Sequence, residues 1–288
     1  NLQLTNQGAG ISLSNITTTT ATLTMPIIKD RQFTITMDSY NKPVVSKCPT
    51  WLENITPPTT RNTPESKTAS FTFKLIENAT NFDDTQIVFT NTSASGGMGM
   101  TVNITREFQI PAISAISMDP TINSYISGSK SLNLYQLKSS YYSTATLKVY
   151  SLGGSKLQLP SGVEANLTSA NAKEQNYIIK YKTSNLATTD VRGGTLYVKN
   201  LSDEEKNQPI LVTFKSSVPT VTSNRDGQGI TYNRTASDVD IYVDGAWGTS
   251  GETGFVFTFT SPAGLQFTNI SNTSASNVTQ ISTGSQSG

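Results

Sequence analysis

Apolar and polar residues alternate in short runs along most of this chain. Examples are Phe33–Met37, Ser70–Leu75, Thr101–Thr105 and Tyr177–Tyr181, which are rich in β-branched and aromatic residues and are bounded by Gly, Pro, Asn, Asp or Ser. Because successive side chains of a strand point to opposite faces of a sheet, this period of two predicts half-buried strands. Helix signals are nearly absent. The predicted fold class is therefore all-β, in the form of tandem immunoglobulin-like antiparallel β-sandwiches.

The order of predicted strands and polar turns repeats along the chain. The pattern of residues 69–107 returns in residues 175–215, which gives a period of about 107 residues. Three units are predicted, with boundaries at residues 1–110, 111–217 and 218–288. The third is expected to be a partial β unit, and its tail, rich in Ser, Thr and Asn, is expected to be mobile because it has few apolar anchors.

Composition removes several classes of enzyme from consideration. The 288 residues contain no His and one Cys, Cys48. Most hydrolytic and metal chemistry draws on imidazole or thiolate groups, so the chain is predicted to be non-enzymatic and to need no metal or other cofactor. Charged residues make up only 14%, and about a third of all residues are Ser, Thr or Asn. Surface polarity therefore depends on hydroxyl and amide groups, which is typical of extracellular β proteins.

The charge pattern narrows the expected partners. The net charge is +1 and no basic run is interleaved with aromatic residues, so nucleic-acid binding is not expected. No apolar stretch approaches the roughly 20 residues of a membrane span. The expected location is the cell surface or the extracellular space, and the lipid anchor of an outer-membrane lipoprotein would lie upstream of Asn1. The expected partner is a glycan or a surface protein.

Two aromatic residues are the candidates for ligand contact. Trp247 lies in the Gly-rich segment Asp244–Ser250 between predicted strands, where rigid scaffolds commonly carry recognition residues. Tyr142 is the second candidate, because one ring of the Tyr141–Tyr142 pair faces outward if the segment is a strand. The alternative for each is packing within its own unit or against its neighbour. Trp51 is interpreted as a core residue, and Cys48 as a small buried apolar group beside it.

The acidic clusters are interpreted as turns and solvated surface. Asp203–Glu205 lies in a predicted hairpin turn with local ion pairing, and Asp83–Asp84 lies in a polar loop. Asp238 and Asp240 share the polar face of one predicted strand. Two alternatives remain at this stage: a carboxylate pair in a cleft for glycoside hydrolysis, and an oxygen-rich calcium site at Asp83–Asp84.

The repeats resemble the BACON module, a β-sandwich of Bacteroidetes surface and secreted proteins. Pro49-Thr50-Trp51 matches the family's motif of a small residue or Pro, any residue, and Trp, while Asn185 and Arg192-Gly193 match its second motif in the second repeat. Each repeat carries about half of the pattern, and Val163 is placed where the second repeat would have its Trp. The resemblance implies a cell-envelope or secreted protein. Carbohydrate binding or a spacer role is the associated expectation, and no binding residue carries over.

The sequence indicates three candidate functions. The first is a non-enzymatic surface or secreted protein for adhesion or glycan recognition. The second is a structural spacer or fimbria-like fibre subunit, which requires rigid module packing or unpaired strand edges. The third, a remote alternative, is an accessory to a carboxylate-dependent glycoside hydrolase.

Overall fold

A computed structural model describes residues 2–5, 8–39, 43–56, 68–91, 99–137, 141–223, 230–234, 239–243 and 257–261. Every regular element in these residues is a β-strand, which confirms the predicted all-β class. The strands are β1 Leu2–Thr5, β2 Ser12–Ser14, β3 Thr20–Pro26, β4 Gln32–Asp38, β5 Pro43–Lys47, β6 Leu52–Asn54, β7 Thr68–Leu75, β8 Gln86–Asn91, β9 Met100–Glu107, β10 Ala112–Asp119, β11 Ser124–Ile126, β12 Ser131–Tyr135, β13 Ser143–Tyr150, β14 Ser155–Gln158, β15 Val163–Ala170, β16 Glu174–Tyr181, β17 Val191–Asn200, β18 Asn207–Lys215, β19 Thr220–Ser223, β20 Ile230–Arg234, β21 Val239–Val243 and β22 Phe257–Thr260.

Strands β1 to β9 form the first sandwich. One sheet has the order β1-β4-β7-β6, and the facing sheet has the order β2-β3-β9-β8-β5. The pairs are antiparallel except for β3 and β9, which run parallel. Both sheets contribute to one core, whose members include Phe33 and Phe73 from the first sheet and Leu23 and Phe89 from the second. The alternating residues seen in the sequence are therefore the inward-facing residues of two packed sheets.

Strands β10 to β18 form the second sandwich with the same topology. Its sheets have the orders β10-β13-β16-β15 and β11-β12-β18-β17-β14, so each strand corresponds to the strand nine places earlier. The parallel pair recurs as β12 and β18. This arrangement is compatible with the predicted immunoglobulin-like sandwich, in which four strands face three or more across one core. The division of the chain at residues 110 and 217 stays a prediction; both positions lie between strands.

The sequence alignment of the two repeats needs a correction of one residue. Val163 was placed opposite Trp51, but the sheet registers pair Val163 with Tyr181 and Leu52 with Leu75. Val163 is therefore equivalent to Leu52, and Gly162 takes the position of Trp51. Because side chains alternate between faces, a slip of one residue exchanges inward and outward positions, and only the register decides between them.

Beyond Val218, the described strands form two pairs. β19 pairs with β22 and β20 pairs with β21, both antiparallel. Val221 and Ile230 are buried. β21 contains Asp240 and confirms the strand that the sequence predicts there, while β22 coincides with an alternating run of Phe and Thr. Asp238 and the tail lie outside the described residues.

Candidate functional site

The structure describes only one of the two residues that were predicted to contact a ligand. Trp247 lies outside the described residues. Tyr142 is 43% exposed and directly precedes β13, with the ammonium nitrogens of Lys182 and Lys180 at 5.1 and 5.8 Å from its ring centroid. Tyr141 is exposed as well. The sequence predicted that one ring of this pair would face inward, but both are exposed because the pair precedes β13 and is not part of it. The observed contacts of the Tyr142 ring are cation–π contacts with lysines of the second sandwich.

A cavity of about 320 Å³ lies at one end of the first sandwich, where the sequence indicated no site. Leu2, Met37, Pro43 and Phe89 are its buried apolar lining residues. Hydroxyl and amide groups surround them, and Asp38 is the one carboxylate among the described lining residues. The full described lining is Leu2, Ile16, Thr17, Thr18, Met37, Asp38, Ser39, Pro43, Phe89, Thr90, Asn91, Gly99 and Met100. An apolar floor with a polar rim is the usual composition of a small-molecule or saccharide site.

The turn between β2 and β3 holds one wall of the cavity in place. The Thr17 hydroxyl accepts hydrogen bonds from the backbone N–H groups of Thr19, at 3.2 Å, and Thr20, at 2.9 Å. Asn15 takes a positive φ of 49°, which an Asn tolerates better than most residues. The adjacent Ile16 therefore projects from a turn of fixed shape, with 49% of its surface exposed.

The opposite wall is fixed by the first sheet. Leu2 pairs with Met37 in the register of β1 and β4, so both face the interior at the end of the sheet. The next residue, Asp38, accepts a hydrogen bond from the Thr68 hydroxyl at 2.8 Å. The cavity thus lies between the ends of the two sheets, where the turns connecting them meet.

The equivalent end of the second sandwich is covered by the first sandwich. Leu152, in the turn between β13 and β14, is buried in the hydrophobic cluster of the first sandwich together with Phe82 and Phe108. The Asn200 amide adds one bond between the units, by donating to the Gln109 carbonyl at 3.5 Å. It also donates to the Leu152 carbonyl at 3.0 Å, which holds the Leu152 turn in place within the second sandwich. We call these contacts, together with the ion pair described next, the junction.

An ion pair closes the junction on its polar side. Lys173 Nζ donates to Glu77 Oε2 at 2.8 Å, and Glu77 Oε1 accepts from the backbone N–H of Asp30 at 3.2 Å. The hydrogen bond from Lys173 holds the pKa of Glu77 below its ordinary value, and the same bond raises the pKa of Lys173. Burial raises the pKa of the neighbouring Tyr150 hydroxyl, and the Glu77 charge adds to that effect.

Asp83–Asp84 and Asp203–Glu205 lie in surface connections between strands, as predicted, while Asp238 lies outside the described residues. Asp84 forms an ion pair with Lys47, whose Nζ lies 2.9 Å from Asp84 Oδ1. The Asn81 side-chain oxygen accepts a hydrogen bond from the backbone N–H of Asp83 at 2.6 Å. Glu204, in the turn between β17 and β18, pairs with Lys156 and Lys199. These carboxylates are bound to nearby lysines or to their own turns. Among the described residues, no group of three or more Cys, Asp or Glu side chains is placed to hold a metal ion.

Trp51 is confirmed as a core residue. It is fully buried, and its indole N–H donates to the Asp84 carbonyl at 2.6 Å. Cys48 is half-buried against the same core, and its thiol donates to the Leu52 carbonyl at 3.5 Å. Burial, followed by the nearby Asp84 charge, raises the pKa of Cys48 to about 11. A thiol with so high a pKa is protonated at neutral pH, and this makes it a poor nucleophile.

The comparisons with known proteins give no family. No family model and no curated protein matches the chain. Among solved structures, it is similar to a protein of unknown function from Porphyromonas gingivalis W83, with a TM-score of 0.23, 10% identity, and coverage of 74% of this chain and 99% of that one. An endo-fucoidan hydrolase of glycoside hydrolase family 107 has a TM-score of 0.27 and 13% identity, over 69% of this chain and 28% of the hydrolase. Domains 5–6 of the S-layer protein SbsC have a TM-score of 0.21 and 13% identity, with coverage of 70% of this chain and 98% of that one.

These similarities are too low to carry a functional argument, so the BACON resemblance stays a prediction. The described part of the chain holds no helix that is long and apolar enough to cross a membrane. Sequence reasoning missed the cavity because its lining comes from several strands and turns that only the fold brings together.

Proposed function

We propose that this chain is a non-enzymatic cell-surface or secreted binding protein whose ligand, a glycan, occupies the cavity at the end of the first sandwich that lies opposite the junction. The observation that carries the proposal is the cavity itself, with buried Leu2, Met37 and Phe89 under a rim of hydroxyl and amide groups. Saccharides present both apolar C–H faces and hydroxyl groups, and such a lining complements both.

A comparison of the two sandwiches supports this location. The second sandwich uses the same end to join its neighbour, and its three-residue connection 171–173 places Lys173 against Glu77. In the first sandwich the corresponding connection, 55–67, has thirteen residues. The first sandwich therefore lacks the short connection by which the second sandwich contacts its neighbour. We infer that the first sandwich uses this end for recognition. Long connections at one end of a sandwich are a common location for binding residues.

Two exposed isoleucines of equal accessibility provide the test. Ile16 lines the cavity, and Ile126 lies in the corresponding hairpin of the second sandwich; each is 49% exposed. We expect the unmodified protein and Ile126→Glu to bind the same members of a glycan array, and Ile16→Glu to lose that binding with an unchanged melting temperature. Array binding that survives in Ile16→Glu, or an array without binding, would contradict the proposal.

The junction favours a second function, that of a spacer holding the first sandwich at a fixed orientation. Burial of Leu152, the hydrogen bond from Asn200 to the Gln109 carbonyl and the Glu77–Lys173 ion pair link the two sandwiches on their apolar and polar sides. Spin labels at Glu53→Cys and Glu164→Cys, in a Cys48→Ser background, would measure the distance between the sandwiches. A narrow distance distribution is expected, and a broad one would show that the sandwiches move independently.

A further inference from the structure

The structure brings an exposed tyrosine and two lysines together on the outer face of the second sandwich. Ile179 and Tyr181 of β16 are buried in the core, so the side chain between them, Lys180, points outward. Lys182 follows the end of the strand and is exposed. Because β13 pairs with β16, Tyr142, the residue before β13, lies alongside the end of β16. The Lys182 and Lys180 ammonium nitrogens are 5.1 and 5.8 Å from the centroid of its ring.

Neither lysine is neutralised by a carboxylate in the part of the chain that the structure describes. Seven other lysines there form ion pairs with Asp or Glu, and Lys180 and Lys182 form none. The Lys180 ammonium instead donates to the Asn166 amide oxygen at 3.1 Å, in the amide orientation that gives both polar atoms of Asn166 a partner. Two ammonium groups beside one ring repel each other, and an anion bound to both would offset that repulsion.

We propose that Tyr142, Lys180 and Lys182 form a second binding site, which takes an anionic saccharide. The carboxylate or sulfate group of the saccharide binds the two ammonium groups by charge-assisted hydrogen bonds. Its sugar ring packs an apolar C–H face against Tyr142, which remains 43% exposed beside the lysines. An acidic peptide would use the lysines alone, and the experiment below separates the two. None of these residues lines the cavity of the first sandwich, so this site does not rest on the function proposed for that cavity.

Two carboxylates lie in the same row of the sheet and oppose an anion at this site. Glu164 of β15 is directly opposite Lys180, with about 4.8 Å between the neighbouring strands. Asp119 of β10 is two strands away on the other side, since it lies opposite Thr144 of β13, which itself lies opposite Lys180. Glu164 is therefore the nearer negative charge. Its removal should strengthen the binding of an anion and leave the binding of a neutral ligand unchanged.

Matched charged and neutral probes test the site by titration calorimetry on the full 288-residue chain. Oligogalacturonate supplies carboxylates on sugar rings, and its methyl ester is the neutral control. Dextran sulfate and unsulfated dextran form the corresponding pair for sulfate. Poly-glutamate represents an acidic peptide. We expect at least one of the two anionic saccharides to bind, with an affinity that falls as salt is added, and both neutral controls and poly-glutamate to give no binding.

Surface variants locate the binding. Lys180→Gln and Lys182→Gln should each weaken it by about tenfold, because each removes one charged hydrogen-bond donor. Tyr142→Ala should weaken it as well, while Tyr142→Phe keeps the ring and the affinity. Glu164→Gln should strengthen it. The matched control is Lys206→Gln, which removes an exposed lysine without an ion pair among the described residues, in the turn between β17 and β18, and should leave the affinity unchanged.

Four results would overturn the proposal. They are failure of both anionic saccharides to bind, equal binding of poly-glutamate, binding that survives in Lys182→Gln, and equal weakening in the Lys206→Gln control. Melting temperatures of all variants confirm that they are folded. Ile16→Glu should keep this binding, so a failure of the cavity as a glycan site and a failure of the site at Tyr142 give different results.

Discussion

Leu152 offers the sharpest test of how the two sandwiches are joined. It belongs to the second sandwich by sequence, in the turn between β13 and β14, yet its side chain is buried in the core cluster of the first. Leu152→Ala removes most of that side chain without touching either sandwich's own sheet pairing. The substitution therefore reports on the junction.

The size of the effect follows from the burial. Replacing a buried Leu by Ala costs about 2–5 kcal/mol, and a position between two units relaxes more easily than one inside a single core. We therefore expect a loss of about 2–3 kcal/mol. For a cooperative unit of this size, that corresponds to a melting temperature lower by roughly 4–12 °C.

Calorimetry measures both the loss and the coupling between the sandwiches. The unmodified sandwiches are expected to unfold together, and in Leu152→Ala the transition is expected to split in two. The matched control is Leu201→Ala, since Leu201 lies in a neighbouring turn but is mostly exposed; its effect should stay within about 0.5 kcal/mol. A Leu152→Ala protein with one transition at the original temperature would refute this account of the junction.

Three further predictions follow from the junction and the core. Glu77→Gln should destabilise the protein at neutral pH. Its deficit should disappear as the pH falls below the ordinary range of a Glu carboxyl and through the lowered pKa of Glu77, because a carboxylate whose pKa is lowered by Lys173 contributes stability above its ordinary pKa and loses it on protonation; chemical unfolding across pH measures this. Gly153→Ala should destabilise the junction and lower the melting temperature, because the residue has a φ of +88° and an added Cβ would lie 2.7 Å from Ser202 Oγ. The control Gly128→Ala places its Cβ in open space and should leave the melting temperature unchanged. Trp51→Phe should cost about 1–3 kcal/mol in urea unfolding, because the Asp84 carbonyl loses its donor; an unchanged midpoint would contradict the importance of that bond.

Much of the fold could be predicted because strand formation leaves a local signal. The alternation in Phe33–Met37 and Tyr177–Tyr181 predicted strands that the structure contains, and the interpretation of Trp51 as core was correct. Turns were equally local: Asp83–Asp84 and Asp203–Glu205 are polar segments bounded by strands, and they bind their own backbone or nearby lysines.

The sites were harder to predict because they depend on residues that are distant in sequence. Tyr141 and Tyr142 are both exposed because they precede β13, and the approach of Lys180 and Lys182 to the Tyr142 ring depends on the pairing of β13 with β16. The cavity gathers Leu2, Phe89 and Met100 from three strands. No local pattern marks such a site, since each of these residues looks like an ordinary strand residue in its own segment.

The sequence by itself determined the all-β class, the strand positions and the repeat of the strand pattern, because backbone pleating and side-chain burial impose a period of two on each segment. Only the tertiary structure decided the strand register, which makes Val163 equivalent to Leu52 and not to Trp51. It alone also decided which end of the first sandwich carries the cavity and that Lys173 pairs with Glu77, 96 residues away in sequence. These features arise where separate segments meet, and the packing of whole sheets determines which segments meet.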